Sequence, residues 1–268
     1  MKVAAIQMVS SIDVPRNLQA AGRLLAEAAD VGAELAVLPE YFCLMGQDDA
    51  DKLAVAESPG GGPIQDCLAD AASRLGLWIV GGTLPLASSD LTRVRNSCLA
   101  YSPAGACVAR YDKIHLFRFD DGTRQYDETR SIEPGTEPQH FVLTARDGSQ
   151  LTVGLSVCYD LRFPELYRKL AADLLVVPSA FTWPTGQAHW EVLLRARAIE
   201  NLAAVVAPAQ GGVHENGRRT WGHSMVIDAW GRVLAQQAEA AGVVMAEFDA
   251  AAQAAVRSRL PALGHRVL

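Results

Sequence analysis

Short apolar runs alternate along the chain with longer segments whose apolar positions recur every three or four residues. The short runs are typical of buried strands and the longer segments of helices that cover them, which predicts an α/β layer architecture. The predicted strands occupy residues 3–8, 35–38, 77–84, 97–101, 108–114, 151–157, 174–177, 203–208, 222–228 and 243–248. The predicted helices occupy residues 13–32, 64–75, 164–170, 187–201 and 250–255. Between them, residues 117–138 form a long polar loop, and loops of that length usually carry function.

Composition limits the class of protein to which this chain can belong. With 268 residues, of which 50% are hydrophobic, the chain is long enough for a large core, and we expect one domain over residues 1–268. The formal charge of −6 and the lack of a Lys- or Arg-rich run argue against a nucleic-acid partner. No apolar stretch approaches the ~20 residues of a membrane span, and the first residues fit a strand better than a signal peptide. The sequence therefore predicts a cytoplasmic protein without a membrane partner.

Cysteine and histidine spacing argues against disulfides and bound metals. The five cysteines are an odd number without a C-x-x-C pair, and the six histidines show neither H-x-H nor H-x-x-x-H spacing. No glycine-rich phosphate-binding run is present. We therefore expect no metal and no cofactor. Cys43 lies close in sequence to Glu40, so it either lines a pocket there or packs in the core.

Cys158 directly follows the apolar run at residues 151–157 and precedes a turn toward the helix that begins near Pro164. A thiol at the end of a strand, followed by backbone N–H groups at a sharp turn, has the geometry of a nucleophile with its own oxyanion donors. The alternative is a buried core cysteine, which is the usual role of a lone cysteine.

Two further segments place charged residues at the ends of apolar runs. Glu40 follows the run at residues 35–38, and a carboxyl group partly removed from water is suited to act as a general base. Lys113 stands between apolar residues, where a fixed ammonium group lowers a nearby thiol pKa and stabilises an oxyanion. The alternatives are a surface glutamate after a turn and an exposed lysine on an edge strand, and for Lys113 taken alone the alternative is favoured.

Together these segments resemble the nitrilase superfamily of carbon–nitrogen hydrolases. The matching pieces are Leu38-Pro39-Glu40, Tyr111-Asp112-Lys113-Ile114-His115-Leu116 and Val157-Cys158-Tyr159-Asp160-Leu161-Arg162-Phe163-Pro164-Glu165. They occur in the family's order and spacing, and the resemblance extends from Val3 to about Arg257. It implies a four-layer α-β-β-α sandwich and hydrolysis of an amide through a cysteine thioester, without a metal or cofactor.

The resemblance also implies a role for each charged residue. Glu40 would be the general base, Cys158 the nucleophile and Lys113 the group that stabilises the tetrahedral intermediate. Many members position the substrate with a second glutamate, which an aromatic-x-Glu pattern before Pro-Gly assigns to Glu128, with Glu133 as the alternative. We expect the strand ends that carry the first three residues to converge at one end of a sheet.

Members of the family commonly pair two subunits through helices next to the nucleophile. Here these helices correspond to residues 163–170 and 187–201, so the resemblance implies a homodimer or a higher homo-oligomer. The alternative for the face that carries Trp190 and Leu194 is burial within one chain. Residues 260–268 lack the aromatic residue expected in the family's tail, so subunit contacts are where this chain is expected to differ.

A second resemblance narrows the small-molecule substrate. Residues 178–200 and 221–231 resemble both the branch that hydrolyses deaminated glutathione and the neighbouring ω-amidase branch, which acts on 2-oxoglutaramate. The segments Ser179-Ala180-Phe181 and 193–200 favour the first branch. Both branches act on an amide whose acyl part is 2-oxoglutarate.

A dianionic acyl group of this kind needs a cation in the site. Arg162 is the predicted partner of a substrate carboxylate, because a guanidinium can bind a carboxylate with two hydrogen bonds. The alternative for Arg162 is a structural ion pair with Asp160 or Glu165. The other residues predicted to bind substrate are Tyr159, Phe181 and Thr185.

Two other functions stay open at this point. The first is a different carbon–nitrogen hydrolase, such as a carbamoylase, a nitrilase or an aliphatic amidase, with the same chemistry and a different pocket. The second is a non-catalytic scaffold that keeps the fold. The joint presence of Glu40, Lys113, Glu128 and Cys158 argues against the scaffold.

Overall fold

The computed structural model describes residues 1–48, 50–120, 122 and 125–267. Asp121, Thr123 and Arg124, which fall in the predicted polar loop, lie outside the described residues. The same holds for Asp49 and for Leu268 at the end of the tail.

Strands and helices alternate along the described chain. The strands are β1 (Lys2–Gln7), β2 (Leu35–Val37), β3 (Trp78–Val80), β4 (Leu84–Ala87), β5 (Val94–Tyr101), β6 (Cys107–Asp112), β7 (Arg118–Asp120), β8 (Gln125–Asp127), β9 (Gln139–Thr144), β10 (Gln150–Leu155), β11 (Leu174–Val176), β12 (Ala204–Ala207), β13 (Gly211–Val213), β14 (Arg219–Trp221), β15 (Ser224–Ile227), β16 (Val233–Gln237) and β17 (Gly242–Glu247). The helices are α1 (Val14–Asp30), α2 (Ala50–Ala54), α3 (Pro63–Leu75), α4 (Pro164–Leu170), α5 (Trp183–Asn201) and α6 (Ala250–Arg259). None of these helices has both the length and the apolar character that crossing a membrane requires.

Two sheets that mix parallel and antiparallel strands form the centre of the molecule. The first has the order β17-β1-β2-β3-β5-β4, with β6 also paired to β5, and the second has the order β16-β15-β12-β11-β10-β9. Helices α1 and α3 pack on the outer face of the first sheet, and α4 and α5 pack on the outer face of the second. The architecture is therefore the expected four-layer α-β-β-α sandwich.

Strand β1 shows how the sequence builds these layers. Val3 and Ala5 belong to the apolar cluster that joins the two sheets, whereas Ala4 and Ile6 belong to the cluster beneath α1 and α3. All four side chains are fully buried. Successive side chains of a strand point to opposite faces, so a continuous apolar run is what a strand covered on both faces requires.

The predicted strand at residues 77–84 is in fact two strands, β3 and β4, because the chain turns at Gly81 and Gly82. Gly82 has a φ of +52°, and a Cβ there would lie 2.1 Å from the carbonyl oxygen of Pro39. Only glycine allows so close an approach. The break therefore makes room for the turn that carries Glu40.

Other departures from the prediction involve short or half-exposed elements. The predicted polar loop contains the antiparallel pair β7 and β8, followed by a single 3-10 turn at Glu128–Arg130. Helix α5 begins at Trp183, four residues before the predicted start. Besides β7 and β8, the helices and strands that the sequence did not predict are α2, β9, β13, β14 and β16.

Candidate active site

Cys158 occupies a strained turn between β10 and α4. Its backbone has a φ of +49°, in the left-handed region that a residue with a side chain rarely adopts. Its N–H donates a hydrogen bond of 2.9 Å to the carbonyl of Pro178, and a short 3-10 helix begins at Cys158 itself. The turn holds the thiol at the end of a strand, as the sequence predicts, although the side chain is only 7% exposed.

The ammonium group of Lys113 lies between two carboxylates. Its Nζ donates to Oε1 of Glu40 at 2.9 Å and to Oε2 and Oε1 of Glu128 at 2.8 and 3.1 Å. Lys113 is fully buried, so the interpretation as an exposed edge-strand lysine is wrong. A lysine without exposure is expected only where anions surround it.

Glu40 is held by three further parts of the fold. Asn96 of β5 donates its Nδ2 to Oε1 at 3.1 Å, and the N–H of Ala180 donates to Oε2 at 3.0 Å. The Nε2 of Gln210 donates to the backbone carbonyl of Glu40 at 3.2 Å. With 1% of its surface exposed, Glu40 is not the surface residue of the alternative interpretation.

Glu128 reaches the same ammonium group from the 3-10 turn after β8. The hydroxyl of Tyr41 donates to its Oε1 at 2.6 Å, and the N–H of Phe117 donates to its Oε2 at 2.7 Å. Glu133 instead forms an ion pair with Arg95. Of the two glutamates that the sequence offers at this position, the fold therefore brings Glu128 to Lys113.

The electrostatics of the cluster follow from burial and from these pairs. Burial opposes the charged form of Lys113, but Glu128 and Glu40 outweigh it and raise the Lys113 pKa above its ordinary value. Burial likewise acts to raise the pKa of Glu128, but Lys113 outweighs it and the pKa is lowered. A lysinium flanked by ionised carboxylate is therefore the resting state of the pair.

The Cys158 thiol behaves differently from the sequence expectation. Burial and the nearby charge of Glu40 raise its pKa well above the ordinary value, and Lys113 opposes this shift without cancelling it. The resting thiol is therefore protonated, and it needs a base when it attacks. Glu40 is the carboxylate whose charge acts on it.

Asp160, inside the motif of the nucleophile, joins the turn of Cys158 to the segment of Lys113. Its fully buried carboxylate accepts from the hydroxyl of Tyr111 at 2.7 Å and from the N–H of Val157 at 2.8 Å. It also accepts from the N–H of His115 at 3.1 Å, and the Nδ1 of that ring lies 2.7 Å away. Asp160 thus has partners other than Arg162, so the ion pair weighed for Arg162 with Asp160 does not form.

Replacing Asp160 by asparagine is expected to destabilise the fold by about 1–3 kcal/mol, because an NH₂ group replaces one of the two oxygens, each of which accepts from a backbone N–H. Urea unfolding measures the change. Glu165→Gln, the same type of substitution at an exposed position of α4, is the matched control. Equal unfolding midpoints for the two variants would contradict the role of Asp160.

A narrow cavity lies beside Cys158. Every residue predicted for the site lines it, namely Glu40, Lys113, Glu128, Cys158, Tyr159, Arg162, Phe181 and Thr185. The guanidinium of Arg162 lies 5.6 Å from the ring centre of Tyr159 and 5.8 Å from that of Phe181, and its Nη2 is 3.4 Å from Nδ1 of His189. These contacts leave its charge at the cavity wall.

Sequence reasoning missed four residues that line the cavity, namely Phe117, Ala180, Thr182 and Arg218. It also missed Tyr41 and Asn96, which contact the glutamates directly. The one sequence signal for Asn96 is an amide inside an otherwise apolar strand. Arg218 has no such signal, because it lies in a turn between two short hairpin strands.

The charged cluster draws on both sheets, which corrects the expectation that one sheet edge carries it. Glu40 follows β2 and Lys113 follows β6, and both strands belong to the first sheet. Cys158 follows β10, which belongs to the second sheet. Two sheets packed face to face bring their strand ends together as well as their inner faces.

Other predicted features have different positions. Trp190 and Leu194 are 1% and 0% exposed within a single chain, so the intrachain alternative is correct for that face of α5. Cys43 packs in the core beneath α1 and α3 and does not line the catalytic cavity. In the described part of the chain, no three His, Cys, Asp or Glu side chains gather in a way that suits a metal ion.

Comparison with known proteins places this geometry in context. The model of the carbon-nitrogen hydrolase family matches residues 2–258. The chain is 41% identical over 270 residues to a deaminated glutathione amidase of Synechocystis, covering 98% of this chain and 97% of that protein. It is 40% identical to the human protein of the same name, and the match covers 98% of this chain and 81% of the human protein. A nitrilase-superfamily structure from Saccharomyces cerevisiae superposes with a TM-score of 0.87 at 26% identity, and the match covers 100% of this chain and 97% of the yeast chain.

Proposed function

Because this chain belongs to the carbon–nitrogen hydrolase family, we propose that it hydrolyses an amide of 2-oxoglutarate, with deaminated glutathione as the preferred substrate. The chain is a hydrolase of carbon–nitrogen bonds other than peptide bonds. One observation carries the proposed mechanism: a fully buried ammonium group bridges two carboxylates at the wall of the cavity that holds Cys158.

In the first half of the reaction the thiol of Cys158 attacks the amide carbonyl carbon. Glu40 takes the thiol proton during the attack, since the thiol is protonated at rest. Lys113 stabilises the negative charge that develops on the carbonyl oxygen, together with the N–H of Tyr159. Glu40 then returns the proton to the nitrogen as the C–N bond breaks, which leaves a thioester and a free amine.

In the second half water opens the thioester. Glu40 now takes a proton from the water, and the carboxylate product leaves with regeneration of the thiol. Glu128 has a positioning role in this scheme, because it contacts Lys113 and holds its ammonium group in place. No step needs an oxidant or a reductant, and water is the one co-reactant.

The substrate assignment is supported by the names of the relatives and by charge at the cavity wall. Relatives at 37–41% identity over nearly the whole chain are named deaminated glutathione amidase. Arg162 supplies a cation for a carboxylate of the acyl group, and Phe181 and Thr185 border the same part of the cavity. An ω-amidase that acts on 2-oxoglutaramate would share this acyl group.

Release of 2-oxoglutarate from deaminated glutathione and, in parallel, from 2-oxoglutaramate tests the proposal. We expect turnover of both substrates, with the larger kcat/KM for deaminated glutathione. Turnover of 2-oxoglutaramate alone would assign the chain to the ω-amidase function. Inertness toward both, with hydrolysis of another member of an amide and nitrile panel, would reject the substrate class and keep the chemistry.

We also propose that two chains associate through the exposed side of α5 and that the protein is cytoplasmic. Val192 and Ile199 on that helix are 69% and 47% exposed, which is unusual for apolar residues of a helix that stays in water. All five cysteines are free, as is usual in a reducing compartment. Sedimentation equilibrium would give twice the mass of one chain; the mass of a single chain would refute the dimer.

A further inference from the structure

A second cavity of about 270 Å³ adjoins the catalytic cavity, and the mechanism above does not use it. Three residues, Phe117, Glu128 and Arg218, line both spaces and therefore form a shared wall. We call the smaller space the inner cavity and the larger one the outer cavity. The outer cavity extends from this wall over Tyr41 and Met45.

Arg218 stands at the shared wall with hydrogen-bonding capacity to spare. Its Nη2 donates to the carbonyl of Ala180 at 2.9 Å, and its Nη1 has only the sulfur of Met45 at 3.8 Å. Its Nε is buried and has no hydrogen-bond partner in the part of the chain that the structure describes. Within the described residues no carboxylate pairs with it, although a half-buried guanidinium normally has an anionic partner.

The described lining of the outer cavity includes the acidic residues Asp48, Asp127 and Glu128, and each has hydrogen-bond partners of its own. Asp48 accepts from the N–H of Ala50 at 2.8 Å. Glu128 is bound by Lys113 and Tyr41. Asp127 accepts hydrogen bonds from the N–H and the hydroxyl of Thr129, which hold its pKa below the ordinary value. The guanidinium of Arg218 lies 5.7 Å from the ring centre of Tyr126, but it has no anionic partner among the described residues, which favours an anion at the wall.

We propose that the outer cavity binds the leaving amine of the substrate and that Arg218 binds a carboxylate carried by that amine. This inference rests on the proposed function. Arg162 lines the inner cavity and not the outer one, whereas Arg218 lines both, so Arg218 is the guanidinium that can reach a group in the outer cavity. The class of substrate is a 2-oxo acyl group in amide linkage to an amino acid or a short peptide.

The size of the two spaces agrees with this division. The inner cavity is the narrow space beside Cys158, and the ammonia released from a primary amide would occupy none of the outer cavity. The outer cavity, at about 270 Å³, is much larger than the inner cavity and lies near the lower end of the volumes of pockets that hold small organic ligands. A dipeptide amine uses that space, and its terminal carboxylate supplies the missing partner of Arg218.

A pair of matched substrates tests the inference. One is deaminated glutathione, and the other is the same molecule with the terminal glycine carboxylate replaced by a carboxamide. We expect the wild-type protein to favour the carboxylate by about 10- to 100-fold in kcat/KM, as for a charge-assisted hydrogen bond. Arg218→Met is expected to abolish this preference.

Arg219→Met is the control variant, since it removes the neighbouring arginine. The Arg219 guanidinium lies 3.2 Å from the ring centre of Trp183 and borders neither cavity. We expect this variant to keep the preference for the carboxylate. Thermal unfolding of both variants checks that each one is folded.

Each outcome has a distinct meaning. If Arg218→Met still prefers the carboxylate substrate, the inference is overturned. An equal fall in kcat/KM for both substrates has the same meaning, because Arg218 would then bind an anion on the acyl group. If the wild-type protein hydrolyses neither substrate, the proposed function fails instead. In that case the inference is tested by calorimetry of cysteinylglycine binding to the wild-type protein and to Arg218→Met. Absence of binding to the wild-type protein overturns the inference.

Discussion

Replacing Cys158 by alanine is expected to lower amide hydrolysis by about 10⁴-fold or more, because the thioester can no longer form. The fold should tolerate the change, since the substitution removes a single sulfur atom from a side chain that lines a cavity. Release of 2-oxoglutarate from deaminated glutathione measures the activity, and urea unfolding measures the stability. Residual turnover within about tenfold of the wild type would exclude the thiol as nucleophile.

Cys43→Ala is the matched control for this experiment. Cys43 is buried, and burial raises its pKa to about 12, so it serves as an unreactive thiol close to the same part of the fold. We expect this variant to keep its activity. Alkylation by iodoacetamide should be mapped by mass spectrometry, because Cys107 is exposed and will contribute to any total thiol count.

Replacing Lys113 by methionine is expected to reduce kcat by about 10²- to 10³-fold, as for the loss of one oxyanion donor. The same change should destabilise the fold by about 3–5 kcal/mol, because it leaves buried carboxylates without their counter-charge. Methionine keeps the volume and the unbranched shape of the lysine stem, so a cavity does not contribute. Steady-state kinetics and urea unfolding separate the two effects.

The pH dependence of that loss of stability has a defined sign. In the wild type Lys113 lowers the pKa of Glu128, so the pair contributes stability above the unfolded pKa of about 4.3 and loses it as the pH falls. Without the ammonium group, burial raises the pKa of Glu128 instead. The variant should therefore lose stability as the pH rises from about 4. A loss of unfolding free energy that stays constant between pH 5 and pH 8 would contradict the assignment. Lys169→Met, at an exposed position of α4, is the control.

The long apolar runs predicted the layered fold well, because burial on both faces leaves a continuous pattern. The runs that became β1 and β10 are examples, and the residues at the strand ends were found with them. Strand β16 escaped prediction because its exposed and half-buried positions leave no apolar run. The break at Gly82 depends on the position of Pro39, which is distant in sequence, so local pattern cannot reveal it.

The candidate site shows the same division between local and long-range information. Cys158 and Glu40 each follow an apolar run, and Lys113 lies between apolar residues in a strand-like pattern, so sequence pattern could single them out. Arg218 comes to the cavity wall only because β13 and β14 pair and place their turn there. That placement is a property of tertiary packing, and no spacing along the chain encodes it.

The division of the charged cluster between the two sheets has a consequence for folding. Glu40 and Lys113 belong to one half of the sandwich and Cys158 to the other, so the cluster exists only while the halves are docked. Far-ultraviolet circular dichroism reports on the formation of secondary structure, which does not require the two sheets to be in contact. Turnover does require that contact. During refolding, the delay between recovery of the circular dichroism signal and recovery of turnover therefore measures the time that the two sheets take to dock.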